Sequence, residues 1–576
     1  MIQQITKMGS FTFYDYAVLL IILTILSAIG LYYRYTGGKQ SSTEEYLLGD
    51  RNQGVLPVAL SLVASHMSGI SILGVPAEVY FRGAIYSVAN IALLIVIPVT
   101  VHLFLPVFFK VASMSVYEYL ELRFGRHLRV LASLAYPVQS VLFMAVVLYA
   151  PALALETLSG LSTTWSILVV GSVCTFYSTV GGIKAVIMTD VFQFILTNLA
   201  VLTIILTVYL EKGSFINIWT AAKEGGRLNF SNFSLDPTER HTWWSLIIGA
   251  TFTYMGTYAV HQSQVQRYLT LRDHRTALRT LYVSWPITTA FSLSMIFAGL
   301  CIYSKYQGCD PLMAHTIRSE DQLVPYFVVD TLSSCPGIPG LVVAGIFSAS
   351  LSSISANLNS LATVSVQDYI RPLYQQKKKL FPTDKWTLWM TKLLACLYGC
   401  LLMVITYLAR YMRGILQTGL TLAGLMGGPM VAVYTLGLFV PAANEPGAIA
   451  ALLSGLAISV WLSFGGPKPP IVNLQSSTYS CLDNITTTSD LLTRPGEYFY
   501  LYRLSYWWSV VLSCLLAFTI GWLVSLYTTA VYKFSCNTDP ELFSPPVMII
   551  LNKRKQSLKE NISSVIHFEN KKQNIN

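Results

Sequence analysis

The chain is short of charge. Only 11% of its 576 residues are Asp, Glu, Lys or Arg, against 53% hydrophobic, whereas soluble domains carry about a quarter charged residues. That scarcity excludes an ordinary soluble protein. Motifs of several catalysts are also missing. There is no GxxxxGK[ST] phosphate loop, no HExxH and no GxSxG, and the His residues are scattered. An ATP-driven pump and a membrane enzyme are therefore disfavoured, and no nucleic-acid-binding motif occurs. The nine Cys form no CxxC pair and no metal-ligand spacing; most lie in apolar runs, where Cys behaves as a small hydrophobe. Cys309, Cys335 and Cys481 fall in loops expected outside, where oxidation is possible. A Cys309–Cys335 bridge is one expectation, although sequence alone fixes no pairing.

What the chain does have is long apolar runs, at about 15–35, 54–80, 84–108, 128–152, 163–180, 186–210, 243–263, 281–303, 340–363, 387–408, 415–440, 446–464 and 504–528. A bilayer core of ~30 Å needs about 20 such residues per helix. The expectation is an all-α polytopic membrane protein of about 13 transmembrane helices, with the lipid bilayer as its first partner and the termini on opposite sides. Residues 1–14 would precede the transmembrane domain 15–528, and 529–576 would form a polar, basic, disordered tail.

The +10 net charge reads as basic loops held on the cytoplasmic side. Arg267, Arg272, Arg275 and Arg279 fill one loop; Arg371, Lys377, Lys378, Lys379 and Lys385 fill another. The N-terminus is then extracellular and the C-terminus cytoplasmic. Glycosylation sequons at Asn229, Asn232 and Asn484 fall in loops already assigned outside, as acceptors must. Asn561-Ile-Ser, in the expected tail, reads as a chance match.

Three spans carry polar residues where a passive anchor would have Leu and Val. Residues 59–78 hold Ser61, Ser65, His66, Ser68 and Ser71 with Gly69, Gly74 and Pro76, a pattern expected of an unwound stretch whose freed backbone lines a cavity. Residues 343–364 hold Ser348, Ser350, Ser352, Ser353, Ser355, Asn357 and Asn359. Ser352 and Ser353, with the Ala349 carbonyl one turn earlier, would present neutral oxygens suited to a hard cation. Residues 249–267 carry Gly256 as an expected break, Tyr254 and Tyr258 on one face, and His261-Gln262 after them. Packing of small residues, hydroxyls bonded back to their own helix and ordinary aromatic contacts are the simpler readings of these features.

At these residues the sequence resembles the sodium/solute symporter family. The stretches 73-LGVPAEVY-80, 180-VGGIKAVIMTDVFQF-194, 264-QVQRYL-269, 348-SASLSSISANLNSLATVSVQD-368 and 424-GLMGGPMVAVYTLGLFVPA-442 carry the likeness. It is nearest to the iodide, monocarboxylate and multivitamin branch. The resemblance implies a LeuT-type 5+5 inverted repeat over about 54–440, with one leading and two trailing helices and with 54–80 and 243–263 as the paired broken helices. It further implies a sodium ion held by the carbonyls of Ala64, Met67 and Ala349 and the hydroxyls of Ser352 and Ser353. Asp190 would attract the ion on its way out, or pair structurally with loop arginines. The solute would sit beside Ser68, Ser71, Asn90, Tyr254, Tyr258 and Gln417. His66 and His261 stand where the iodide pattern has Phe and Asn, which argues against iodide and leaves them to meet a carboxylate or to serve packing. The implied function is sodium-coupled symport of a small organic anion, a monocarboxylate or a vitamin carboxylate such as biotin or pantothenate, in the plasma membrane. Iodide or a neutral solute, a channel or uniporter, and a sensor are the alternatives. No organic cofactor is expected, and a homo-oligomer is allowed.

Overall fold

The computed structural model describes residues 11–36, 42–111, 113–378, 382–409, 415–481, 498–534 and 538–557, and every regular element among them is helical. Helix α1 (Phe13–Tyr35) leads, followed by α2 (Val55–His66) and α3 (Gly69–Arg82), which meet at a 59° bend. Then come α4 (Ala84–Val111), α5 (Arg126–Ser159) and α6 (Thr163–Lys212). After these, α7 (Ala250–Tyr258) and α8 (Gln262–Tyr268) are short. The set closes with α9 (His274–Lys305), α10 (Ile338–Val364), α11 (Asp384–Ala409), α12 (Ile415–Phe439), α13 (Glu445–Phe464) and α14 (Tyr506–Tyr532).

By length and apolarity, 10 described helices can cross a bilayer, or 11 with the bent α2–α3 pair. Fewer separate spans are therefore countable than the thirteen runs read from the sequence. Two of those runs, 163–180 and 186–210, lie inside α6. Its 50 residues would extend about 75 Å if straight, far beyond a ~30 Å core. Gly182, at φ 63°, breaks the helix inside that length. A side chain there would also collide with the Tyr46 ring, 2.7 Å from a built Cβ. The run 243–263 divides into a π-helical turn, Ser245–Gly249, then α7 and α8, none long enough alone.

Helix α10 is the central post. Its apolar window is 89% buried, against 22% for α1 and α11, so α10 faces protein while the other two show most of their surface to the surroundings. The hydroxyl-rich sequence of α10 fits that place away from lipid: Ser352, Ser353 and Ser360 donate to other segments, while Ser355, Asn357 and Thr363 bond back to their own helix.

Two expectations for loops and tail are corrected. Cys309 is bonded to Cys481, and Cys335 is an exposed free thiol. The partner is Cys481 because the segment before it folds back over the bundle. The Leu474 N–H donates to the Phe81 carbonyl at 2.8 Å, the Asp310 N–H to Ser477 at 3.0 Å and the Ser480 N–H to Gly308 at 3.0 Å. The tail is not wholly without structure either. Phe543 is buried beneath the Arg123 guanidinium, 4.6 Å from its ring centroid, and Tyr119 donates to the Leu542 carbonyl. Residues 545–557 are helical. Asn484, Asn561 and residues 558–576 lie outside the described residues.

Cys309→Ser or Cys481→Ser should each lower stability by about 2–4 kcal/mol, and Cys335→Ser should be neutral. Thermal melts in detergent check this, with non-reducing peptide mapping to find the 309–481 linkage.

Candidate functional site

A helix that ends inside a membrane protein leaves carbonyls that must find donors. Helix α2 ends at His66; Met67 adopts φ −89°, ψ 89° and Ser68 is extended before α3 begins. The freed carbonyls are met by α10. Ser352 Oγ donates to the Ala64 carbonyl at 2.7 Å and Ser353 Oγ to the Ser65 carbonyl at 3.0 Å. The Ala349 carbonyl lies 3.2 Å from Ser352 Oγ and 3.4 Å from Ser353 Oγ. Ala64, Ala349, Ser352 and Ser353 are thus brought together as expected. The carbonyl facing Ser353 is that of Ser65 rather than Met67. Contact is close here because Gly69 carries no side chain: a Cβ would fall 1.9 Å from Ser350 Oγ.

The second break lies at Ala259–His261, between α7 and α8, and not at Gly256 as expected. Gly256 stays helical and lets α7 approach α12, with a built Cβ 2.8 Å from the Gly427 Cα. His261 caps α8: the Ser263 backbone N–H points to its Nδ1 at 3.4 Å, and Ser263 Oγ lies 2.9 Å away. With Nδ1 accepting, the imidazole proton sits on Nε2.

Between the two breaks lies a cavity of about 130 Å³, room for about four water-sized groups. Of the expected solute residues, His66, Ser68, Ser71, Tyr254 and His261 line it. Tyr258 instead backs the wall, its ring 5.0 Å from that of His66. Asn90 lies off the wall with its amide on the Ser87 carbonyl. Gln417 belongs to a second, larger cavity of about 630 Å³ toward the sequon-bearing face. Sequence reasoning missed Tyr86, Tyr136, Gln139, Gln264 and Asn357 on the inner wall. Gln264, one turn after His261, and the i,i+3 pair Tyr136 and Gln139 in an apolar helix carried a usable signal. Met67, Met295, Met426 and Met430 supply much of the apolar lining, a surface that adapts to shape.

Asp190 is fully buried on α6, with Arg267 Nη2 at 2.9 Å and Ser61 Oγ at 2.5 Å on the same oxygen. Arg267 also donates to Ser61 Oγ at 2.7 Å and to the Ser263 carbonyl. It is a buried structural cation and not the loop cation its neighbours suggested. The other Asp190 oxygen, and Gln193 Oε1 one turn on, are enclosed acceptors without a hydrogen-bond partner among the described residues.

Toward the sequon-bearing face, Glu78 of α3 is buried and accepts from Arg240 Nε at 2.7 Å and Nη2 at 3.1 Å. Arg82 joins Glu78 to Glu320. Burial holds the neighbouring His241 down to about 3, so this imidazole is neutral near pH 7. Asn229 is exposed, whereas the Asn232 amide is tied to Glu239 and to the His241 carbonyl.

The profile of the sodium:solute symporter family matches residues 46–455. The chain belongs to this family. It is 45% identical over 563 residues to a Drosophila melanogaster protein assigned as a sodium-dependent multivitamin transporter, covering 95% of this chain and 93% of that one. It is 39% identical over 541 residues to the sodium-coupled monocarboxylate transporter 1 of Homo sapiens, covering 90% and 88%. Among solved structures, a Na+-coupled sialic acid symporter in a substrate-bound outward-open state superposes with a TM-score of 0.76 over 90% of this chain and 98% of that one, at 23% identity. The fold is the LeuT type, as the resemblance implied.

Arg267→Met would leave Asp190 buried without its cation, a loss of about 3–5 kcal/mol. Folded yield and melting temperature should drop, and adding Asp190→Asn should restore part of both. A recovery no larger than that in an unrelated destabilised variant would show that the pair is not the cause.

Proposed function

We propose that this chain is a sodium-coupled symporter of a small monocarboxylate, working by alternating access in the plasma membrane. The observation that carries the reading is the meeting of the Ser352 and Ser353 hydroxyls with the Ala64 and Ser65 carbonyls beside a solute-sized cavity. Rotating the two hydroxyl protons away would turn this cluster into a cage of neutral oxygens, the donor set a hard cation prefers. Ala64, Ser65, Ala349, Ser352 and Ser353 are the proposed sodium ligands, with Met67 able to join as the break flexes. The enclosed second oxygen of Asp190, with Gln193 Oε1, supports a sodium path past Asp190 even though Arg267 holds the first oxygen.

The solute carboxylate would lie at the start of α3. Ser68 holds the N-cap position of that helix without a side-chain capping bond and lines the cavity with Ile70 and Ser71, so the first backbone N–H groups of α3 would be open to an anion there. His261 Nε2–H would supply a neutral donor from the opposite break. A cavity of about 130 Å³ favours an acid of a few carbon atoms over biotin or pantothenate. The vitamin reading stays as second, favoured by the name of the Drosophila relative. Inward release would be driven by low cytoplasmic sodium and by the membrane potential, worth ~2.3 kcal/mol per charge per 100 mV. The basic sequence segments 272–279 and 371–379 argue for a cytoplasmic position on that side. The face with Asn229 and the disulfide would be extracellular, with the N-terminus outside and the residues after 529 inside.

Uptake of labelled lactate, butyrate, pantothenate and biotin in oocytes, in sodium or choline medium, tests the reading. Lactate and butyrate should enter only with sodium; equal flux in choline would remove coupling. Ser353→Ala should raise the sodium concentration for half-maximal uptake by about tenfold, the loss of one hydrogen-bond-strength ligand, with surface abundance unchanged. His261→Ala should raise the KM for the acid and leave sodium half-saturation alone; the reverse pattern would move His261 out of the solute site.

A further inference from the structure

Gln417 lies one layer outside the cavity, and its partner there is informative. Arg240 reaches across the larger cavity: Nε and Nη2 go to Glu78 on α3, and Nη1 goes to Gln417 Oε1 on α12 at 2.8 Å. The Tyr506 ring lies against the guanidinium at 4.9 Å. Two of its three nitrogens are thus committed to a buried carboxylate. The third is held by a neutral amide, a weaker partner than a carboxylate would be.

The surrounding wall is short of competing acids. Lys468 and Arg503 line the same cavity, where Glu239 is the acid on the wall among the described residues. Glu78 and Glu320 are occupied by Arg82 and Arg240. This outer cavity is also next door to the inner one. Leu416 lines the inner cavity and Gln417 the outer. The Tyr86 ring, on the inner wall, lies 5.7 Å from the His241 ring on the outer wall.

We propose that Arg240 and Gln417 form an outer station for the solute carboxylate, in which the arriving carboxylate displaces the Gln417 amide from Arg240 Nη1. The inference rests on the carboxylate reading above. Exchange at Nη1 leaves the Glu78 pair intact, so no buried charge is stranded. It also cuts the polar link from Arg240 to α12, while Arg240 stays anchored to α3. Both helices wall the inner cavity through Ser71, Val75, Leu416 and Gly419. Binding at the station therefore removes a polar tie between the α3-anchored Arg240 and α12, two helices that also pack directly at Gly74–Leu416 and Ile70–Gly419. The ligand class is a small carboxylate or other monoanion; a neutral solute has nothing to offer Nη1 in place of the amide.

The test uses Gln417→Glu, which gives Arg240 a tethered carboxylate in place of the exchangeable amide, and Gln417→Met as the uncharged control. The first readout needs no solute. In full-length protein with Cys335, Cys396, Cys400 and Cys536 replaced by Ser, Thr421→Cys on the outer wall is reacted with anionic and cationic methanethiosulfonates. Gln417→Glu should lower the anionic-to-cationic rate ratio by about tenfold, the scale of a local charge on an approaching ion, and Gln417→Met should keep it. The second is lactate uptake: Gln417→Glu should raise KM by about tenfold, with sodium half-saturation unchanged. An unchanged rate ratio would overturn the station, as would Gln417→Met matching Gln417→Glu in both readouts. A shifted ratio with an unchanged lactate KM would also overturn it, because anions would then be attracted without being held. If wild type takes up no carboxylate, the proposed function fails, and the station is then decided by protection: excess lactate should slow anionic modification of Thr421→Cys when Gln417 is present and not in Gln417→Glu, and no protection overturns it.

Discussion

An α-helix cannot stop inside a lipid-embedded bundle unless something else meets its last carbonyls, and this architecture depends on how that demand is answered. The end of α2 is closed by two hydroxyls from α10, on Ala64 and Ser65. A hydroxyl is a partner that rotates. It can donate to a carbonyl in one state and turn its lone pairs to a cation in another, without a charged group entering the bundle. An acid at the same place would carry the full desolvation cost of an ion whenever sodium was absent.

Charge is accordingly kept out of the cavity and placed in pairs around it. Asp190 with Arg267 lies on one side, and Glu78 with Arg82 and Arg240 on the other. Asp190 is held by Arg267 and Ser61, and Glu78 by both Arg82 and Arg240, the kind of pairing under which ionised groups persist away from water. The groups that face the cavity are neutral: His66, His261, serines, tyrosines and amides. A neutral wall is consistent with transport, because a solute held by a buried fixed charge would be slow to leave.

The two breaks are alike in function but not in chemistry. The first is opened by a Ser- and Gly-rich sequence and closed by α10. The second is capped from within by His261, whose ring fixes its own tautomer in doing so. In the proposed reading that difference would put the sodium ligands at one break and a carboxylate donor at the other.

The sequence by itself determined the membrane class, the helical architecture, the family and the place of the first break. These follow from local composition: apolar run length, the Ser/Gly content of 59–78 and the hydroxyl run of 343–364. It also named Ala64, Ala349, Ser352 and Ser353, which the fold brings together, and five residues that line the inner cavity. Only the tertiary structure decided the rest, because each case turns on which surfaces meet. Gly256 looks like a breaker locally but serves as a packing point against Gly427. Arg267 sits among loop arginines in the chain, yet it is drawn inward by Asp190, 77 residues away. Cys309 pairs with Cys481, 172 residues on, because the backbone of 474–480 bonds across the bundle and brings the two together. Gln417 faces the outer cavity since Arg240, from a distant segment, holds its amide there. Local pattern fixes what a segment is; which partner reaches it across the fold fixes what its side chains do.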